Sequence, residues 1–333
     1  MEKHLFAGAI TMEGFQNLYG NILNREKAKN FFVIKGGSGV GKSSLLKRIA
    51  KYYSKIYSIE YYHCSGDIDS LDGIYISDIE TALIDGTSPH IVDPKYVKCN
   101  DYEIDLACCI DDSNISKVKD NILCLMKRKE KMYKSIFSLT NILGQIYLEN
   151  LNIFKDSFDE NYIILKAKNA LDKIEPQENF KKRTLFNRAI TANGITSLRC
   201  EYEENVVFIN APIYLANLFI DKIKKFAEIN NYNYSLYLSP YSINIYEGIV
   251  VENTIYTTNP CAISQNYSIV DLIVEDVKYL SKEQEMFENL IISKLNEVKK
   301  VHLDIEKQYS PLVNFNKIDF IFDDIIRRIN SSI

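Results

Sequence analysis

Residues 32–47 read FVIKGGSGVGKSSLLK: an apolar run, four glycines, a Gly-Lys-Ser-Ser step and a second apolar run. Gly36-Gly37-Ser38-Gly39-Val40-Gly41-Lys42-Ser43 fits G-x-x-x-x-G-K-[ST], the P-loop pattern. Four constrained positions are a thin signal, so the flanks decide. Phe31-Phe32-Val33-Ile34 is the short, β-branched and aromatic run of a buried parallel strand. Beyond the loop, Leu45, Leu46, Ile49 and Tyr52/Tyr53 fall at helical spacing. Strand, glycine loop and helix are all present.

The residue types predict the chemistry. Glycines let the backbone curl around an anion and aim successive N–H groups at phosphate oxygens, and the following helix dipole adds to the attraction. Gly36 to Ser44 form the expected nucleotide-binding stretch, with Lys42 on the β- and γ-phosphates and Ser43 on Mg²⁺. ATP is the expected nucleotide. A second metal-holding carboxylate should end a neighbouring strand, and Thr81-Ala82-Leu83-Ile84-Asp85 supplies Asp85. Gly86 follows it where a general base often stands. Asp67, Asp69 and Asp72 in HCSGDIDSLDG are further candidates for orienting water or an acceptor; their structural alternative is turn and cap formation.

A second stretch, VFINAPIYLANLFIDK (207–222), matches the first at an offset of 175 residues, with the strand and closing lysine kept and every glycine lost. LFAGAITMEGFQNL (5–18) and LFNRAITANGITSL (185–198) share seven of fourteen residues at an offset of 180. Pro89 and Pro260 close the two blocks. The chain is an internal duplication. At the 175 offset Gly36, Gly37, Gly39 and Gly41 become Ala211, Pro212, Tyr214 and Ala216, while Lys42 and Ser43 become Asn217 and Leu218. Tyr214 resists a positive φ and Pro212 has no N–H, so the second copy should keep the scaffold without the site.

HLFAGAIT, KGGSGVGKSS, HCSGDIDSLDG and ALIDGTSPH together resemble a family of uncharacterised bacterial P-loop ATPase-like proteins built from two tandem copies. The resemblance spans nearly the whole chain. It implies a P-loop fold in each copy and an intact loop in both, from which the second copy here departs.

The expected fold is therefore α/β, with two tandem domains of parallel sheet in three αβα layers. Domain boundaries are expected at 1–183 and 184–333, each with a helical-hairpin extension, at about 113–175 and 270–330. In the first extension Ile115, Val118, Ile122, Leu125, Met132, Ile136, Leu139 and Leu143 recur at helical spacing. In the second, Ser281-Lys-Glu-Gln284 suggests a capping box before Phe287, Leu290, Ile291, Val298 and Ile305. Asn316-Lys317-Ile318-Asp319 matches the guanine-reading N-K-x-D motif, but Asn316 is equally placed to cap a helix carrying Ile318, Ile321, Phe322, Ile325 and Ile329.

Composition fits a globular protein: 46% hydrophobic and 25% charged residues, with a net charge of −4. That charge gives no footprint for nucleic acid, and no segment offers the ~20 apolar residues of a membrane span or a signal-peptide core. A cytoplasmic location is expected. Seven cysteines at irregular spacing signal neither a disulfide framework nor a zinc site; Cys64 beside His63 stands out. The expected activity is slow, Mg²⁺-dependent ATP hydrolysis at one site. Arg188 and Arg199 of the second copy are candidates for completing that site. A small-molecule kinase, or a nucleotide-gated scaffold that engages a protein partner through its helices, is the alternative.

Overall fold

The computed structural model describes residues 2–152, 159–172, 174–178, 180–198, 205–259, 267–272 and 281–333. Two six-stranded sheets carry the same topology. In the first half the strands are β1 (Glu2–Leu5), β4 (Asn30–Lys35), β5 (Ile59–His63), β6 (Leu71–Ile76), β7 (Thr81–Asp85) and β8 (Asp101–Asp105), ordered β1-β5-β6-β7-β4-β8. The hairpin of β2 (Gly8–Thr11) and β3 (Gly14–Asn17) precedes β4, and helix α1 (Lys42–Tyr53) follows it.

Two further helices, α2 (Asp112–Asn152) and α3 (Glu160–Ala170), link the halves. The second half repeats the plan with β9 (Lys182–Leu185), the hairpin of β10 (Arg188–Thr191) and β11 (Gly194–Ser197), β12 (Asn205–Asn210), and helix α4 (Ile213–Ile229). It continues through β13 (Tyr234–Leu238), β14 (Tyr246–Val251), β15 (Thr254–Thr257) and β16 (Tyr267–Asp271) to α5 (Ser281–Tyr309) and α6 (Phe315–Ser332). Its sheet runs β9-β13-β14-β15-β12-β16, element for element the order of the first. Even the irregularities recur: the register slips between Tyr62 and His63 in β5, and at the equivalent step between Tyr237 and Leu238 in β13. The strand β9 straddles the boundary expected at 183/184.

The sheets are mixed rather than all parallel. β4 pairs in parallel with β7 and β8, and β1 with β5, but β6 runs antiparallel between β5 and β7. The reason is length. Only residues 64–70 and 77–80 join these strands, and a parallel crossover needs about a dozen residues or more.

The three-layer αβα expectation is also replaced. Alternation along β4 sends Phe32 and Ile34 into a core with Leu45, Leu46 and Ile49 of α1, and Phe31 and Val33 into a second core. That second core is shared with Leu185, Val206, Tyr237, Val250 and Ile255 of the other half. Each sheet thus carries helices on one face and packs its other face on the opposite sheet, giving layers α, β, β, α. Leu5–Ala7 and Leu185–Asn187 meet at the seam, where Phe6 and Phe186 exchange backbone hydrogen bonds of 2.9 and 3.0 Å. These two residues are equivalent at the 180 offset, so a local two-fold axis passes between them.

The helical extensions cross over between halves instead of forming a hairpin within each. Ile318, Ile325 and Ile329 of α6 are buried against α1, and Tyr53 donates to Asn330 at 2.8 Å. Reciprocally, Ile163 and Ala167 of α3 are buried against Phe219, Ile220 and Ile223 of α4. The long helices α2 and α5 share a core through Ile136, Leu143, Ile291, Leu295 and Val298. Each steadies the turn of its own half's hairpin: Asn141 donates to the Met12 carbonyl and Asn296 to that of Ala192, again equivalent residues. Two caps differ from expectation. Asn314, not Asn316, caps α6 by accepting from the Lys317 N–H, because a cap side chain reaches the third residue beyond it. Ser281 is already the first helical residue of α5 among the described residues.

Candidate functional site

The glycine loop joins β4 to α1 at the carboxyl end of the parallel strands, where open α/β sheets place their ligand crevices. Gly36, Gly39 and Gly41 have φ of 150°, 75° and 92°. Gly41 caps α1 with no side chain, and no acidic residue occupies the first turn. The first intrahelical bond runs from the Leu45 N–H to the Gly41 carbonyl, so the N–H groups of Lys42, Ser43 and Ser44 have no partner within the helix. Their positive end of the dipole opens toward a cavity of about 480 Å³ lined by Ser38, Gly39, Gly41, Lys42, Ser43 and Ser44. Gly36, Gly37 and Val40 of the loop do not line it, and Val40 turns inward. Its side chain is fully buried in the α1 core and anchors the turn.

Lys42 and Asp85 come together, as expected. β7 lies beside β4 with Asp85 in register with Ile34, and Asp85 Oδ2 is 3.6 Å from Lys42 Nζ. The ammonium also donates to the carbonyls of Gly36 (2.9 Å) and Gly37 (2.7 Å), bracing the loop it belongs to. Asp85 Oδ1 accepts from the N–H of Thr87 (2.8 Å) and from its hydroxyl, which fixes the carboxylate plane. Ser43 Oγ accepts from the Leu71 N–H at 2.9 Å and keeps its own proton and a further lone pair. Ser43 and Asp85 are the residues here that could hold a hard cation beside a phosphate.

The acidic loop divides. Asp69 is exposed and serves the turn, whereas Asp67 and Asp72 line the cavity. Asp67 is held by Lys299 (2.7 Å) and Ser70 (2.7 Å); burial opposes its charge, but these partners outweigh burial and keep its carboxyl below the ordinary value. Asp72 is buried, and burial with the nearby Asp85 charge raises its pKa against the pull of His90. Cys64 faces Asp72 and His90 rather than its neighbour His63, which instead bonds His4 and the Ile68 carbonyl.

Sequence reasoning missed the roof. Lys129 and Tyr133 of α2 and Leu295, Val298, Lys299, His302 and Glu306 of α5 also line the cavity, with Phe315 at the start of α6. Lys129 Nζ lies 2.8 Å from His302 Nδ1, and burial pushes its pKa down. A Cβ on Gly39 would stand 3.0 Å from the Glu306 Cα, so the loop tip rests directly on α5 backbone. The cavity is therefore built by both halves. No spacing in the sequence points to Lys129 or His302, since their approach depends on how two long helices cross.

The second copy has no counterpart loop. β12 ends at Asn210 and α4 begins at Ile213, so the positions equivalent to Ser38–Gly41 are a turn of helix. Asn217 is not a vestigial lysine: its Oδ1 accepts from the Tyr246 N–H at 2.8 Å, as Ser43 does from Leu71. Arg188 does not reach the glycine-loop cavity; it pairs with the buried Glu247 of its own half at 3.3 Å. Arg199 and Pro260 lie outside the described residues. Neither Asn316 nor Asp319 lines the cavity, and Asp319 is engaged by Arg48 at 2.8 Å, so the N-K-x-D match is structural helix sequence.

No protein-family profile, curated protein or solved structure matches this chain. Among the described residues no helix is long and apolar enough to cross a membrane.

Proposed function

We propose that this protein is a Mg²⁺-dependent P-loop ATPase of low turnover with a single nucleotide site in its N-terminal half. One observation carries the reading: Lys42, Ser43 and Asp85 converge at the ends of two adjacent parallel strands around an uncapped helix N-terminus, and the duplicated half has neither these residues nor the loop. In this reading the amides of Gly36–Ser44 and Lys42 hold the phosphates, and Ser43 and Asp85 hold the magnesium directly or through its water. The second half is a degenerate copy that lends α5 as a lid wall. Low turnover follows from the absence of a carboxylate next to Asp85, where Gly86 stands. Asp67 and Asp72 are the cavity carboxylates of the acidic loop available to orient water or an acceptor.

A small-molecule kinase is the second reading. It is favoured by Lys129, a cavity lysine with no carboxylate within ion-pair distance among the described residues, which suits an anionic acceptor. A thermal-shift panel of nucleotides with and without Mg²⁺, followed by product analysis, tests both. Stabilisation by ATP–Mg²⁺ that Lys42→Ala removes and Asn217→Ala spares supports the site. Phosphate released without an acceptor supports the ATPase; ATP consumed only with a metabolite extract supports the kinase. Equal loss in Lys42→Ala and Asn217→Ala, or no nucleotide response, refutes the assignment.

A further inference from the structure

The two halves also differ where a buried carboxylate must be neutralised. In the second half Glu247, 1% exposed, is met by Arg188 at 3.3 Å and by the Ser239 hydroxyl at 3.2 Å. In the first half the equivalent carboxylate is Asp72, the equivalent of Ser239 is Cys64, and the equivalent of Arg188 is Gly8. An arginine could not stand at Gly8. A Cβ there would be 2.7 Å from the Phe15 ring and 3.2 Å from that of Tyr19, both of which pack on His90. A fixed cation has thus been exchanged for a thiol and an imidazole.

We propose that Cys64, Asp72 and His90 form a binding site for one zinc-class divalent cation, which neutralises Asp72 as Arg188 neutralises Glu247. The thiol sulfur, a carboxylate oxygen and a ring nitrogen all lie within 4.8 Å of one another. His90 Nε2 is 3.1 Å from Asp72 Oδ2, near the ligand–ligand edge of about 3.3 Å in a tetrahedral site with bonds of about 2.05 Å. Tyr19 donates to the same carboxylate at 3.0 Å and orients it, the kind of outer contact that accompanies a ligating carboxylate. His90 Nδ1 is buried with no hydrogen-bond partner, so nothing beyond Asp72 fixes the ring's tautomer. Without a cation, an Nε2 proton bridges the ring to the carboxylate; a cation bound between them takes the place of that proton and leaves the ring proton on Nδ1.

The ligand set selects the metal class. Thiolate, imidazole and carboxylate suit zinc and its borderline neighbours, whereas magnesium and calcium take oxygen ligands. Three protein ligands leave a fourth position, and all three residues line the cavity from which water could fill it. Binding releases the Cys64 proton. Affinity should therefore fall in acid. All three residues line the cavity of the proposed nucleotide site, so the test is run without nucleotide and its failure leaves that site's assignment untouched.

The full chain, stripped with chelator, is titrated with Co²⁺ and then with competing Zn²⁺. One equivalent should produce a thiolate-to-cobalt charge-transfer band in the near ultraviolet, displaced by Zn²⁺. Cys64→Ser introduces the hydroxyl that Ser239 uses in the sister site, so it is expected to fold. It should remove the band and weaken Zn²⁺ by roughly a hundredfold or more. His90→Ala, scored by Zn²⁺ competition and thermal melting, should weaken binding comparably. Cys108→Ser, a change at an exposed thiol, should alter nothing. Absence of a stoichiometric band, or a site that persists in either the Cys64 or the His90 variant, overturns the proposal.

Discussion

Glu60 and Arg183 offer the sharpest test of how the halves are joined. Glu60 lies on β5 of the first sheet and Arg183 on β9 of the second. Both guanidinium Nη atoms bond the carboxylate, at 2.7 and 2.8 Å, while Nε donates to Ser235 and Tyr62 donates to Glu60 at 2.6 Å. The side chains are 11% and 20% exposed, so water screens them little. Burial opposes the Glu60 charge, but Arg183 and Tyr62 overcome it and hold the carboxyl below its ordinary value. Removing one partner of such a pair leaves an uncompensated buried charge and costs about 3–5 kcal/mol.

Glu60→Gln and Arg183→Met should each lose stability on that scale. The double variant should be less damaged than the sum by about 2 kcal/mol, because it leaves no orphan charge. The pH dependence has a definite sign. A depressed folded pKa means the contribution is complete above the unfolded carboxylate value of about 4.3 and is lost as pH falls through the folded value. Urea midpoints of the four proteins at neutral pH, repeated at falling pH, provide the measurement. Single variants within about 1 kcal/mol of wild type, or an additive double, would refute a buried joint between the sheets.

Gly39→Ala combines a φ of 75° with a Cβ 3.0 Å from α5 backbone, so it should cost about 2–4 kcal/mol and weaken nucleotide-induced stabilisation, both read by thermal melting. Asp85→Asn should preserve the fold and the Thr87 contacts but remove most Mg²⁺ dependence of nucleotide binding; a variant with an unaltered Mg²⁺ titration would exclude Asp85 as a metal ligand. Arg188→Ala should destabilise by about 3–5 kcal/mol through the abandoned Glu247, while single-turnover hydrolysis in the folded fraction stays unchanged. A lost hydrolysis rate without a stability change would restore the arginine to the active site.

What the sequence settled by itself is local or repetitive. The strand–loop–helix order around Gly36–Ser43 and the two long helical segments follow from patterns within a few dozen residues, and the duplication and the missing glycines of the second copy from matches 175 and 180 residues apart. Asp85 was legible too, because an apolar run ending in aspartate has few places to go beside a parallel strand. The exchange of α3 and α6 between halves was not. Their apolar stripes specify that a face is buried, not which sheet buries it, and tandem copies offer two nearly equivalent sheets. Nor could spacing show that Lys129 and His302 meet over the loop, or that Cys64 turns to His90 instead of His63. Those approaches are set by the crossing of α2 on α5 and by the course of the loops after β5 and β7. Periodicity records which face of an element is apolar, whereas the choice among partners for that face belongs to shape and only exists once the chain has folded.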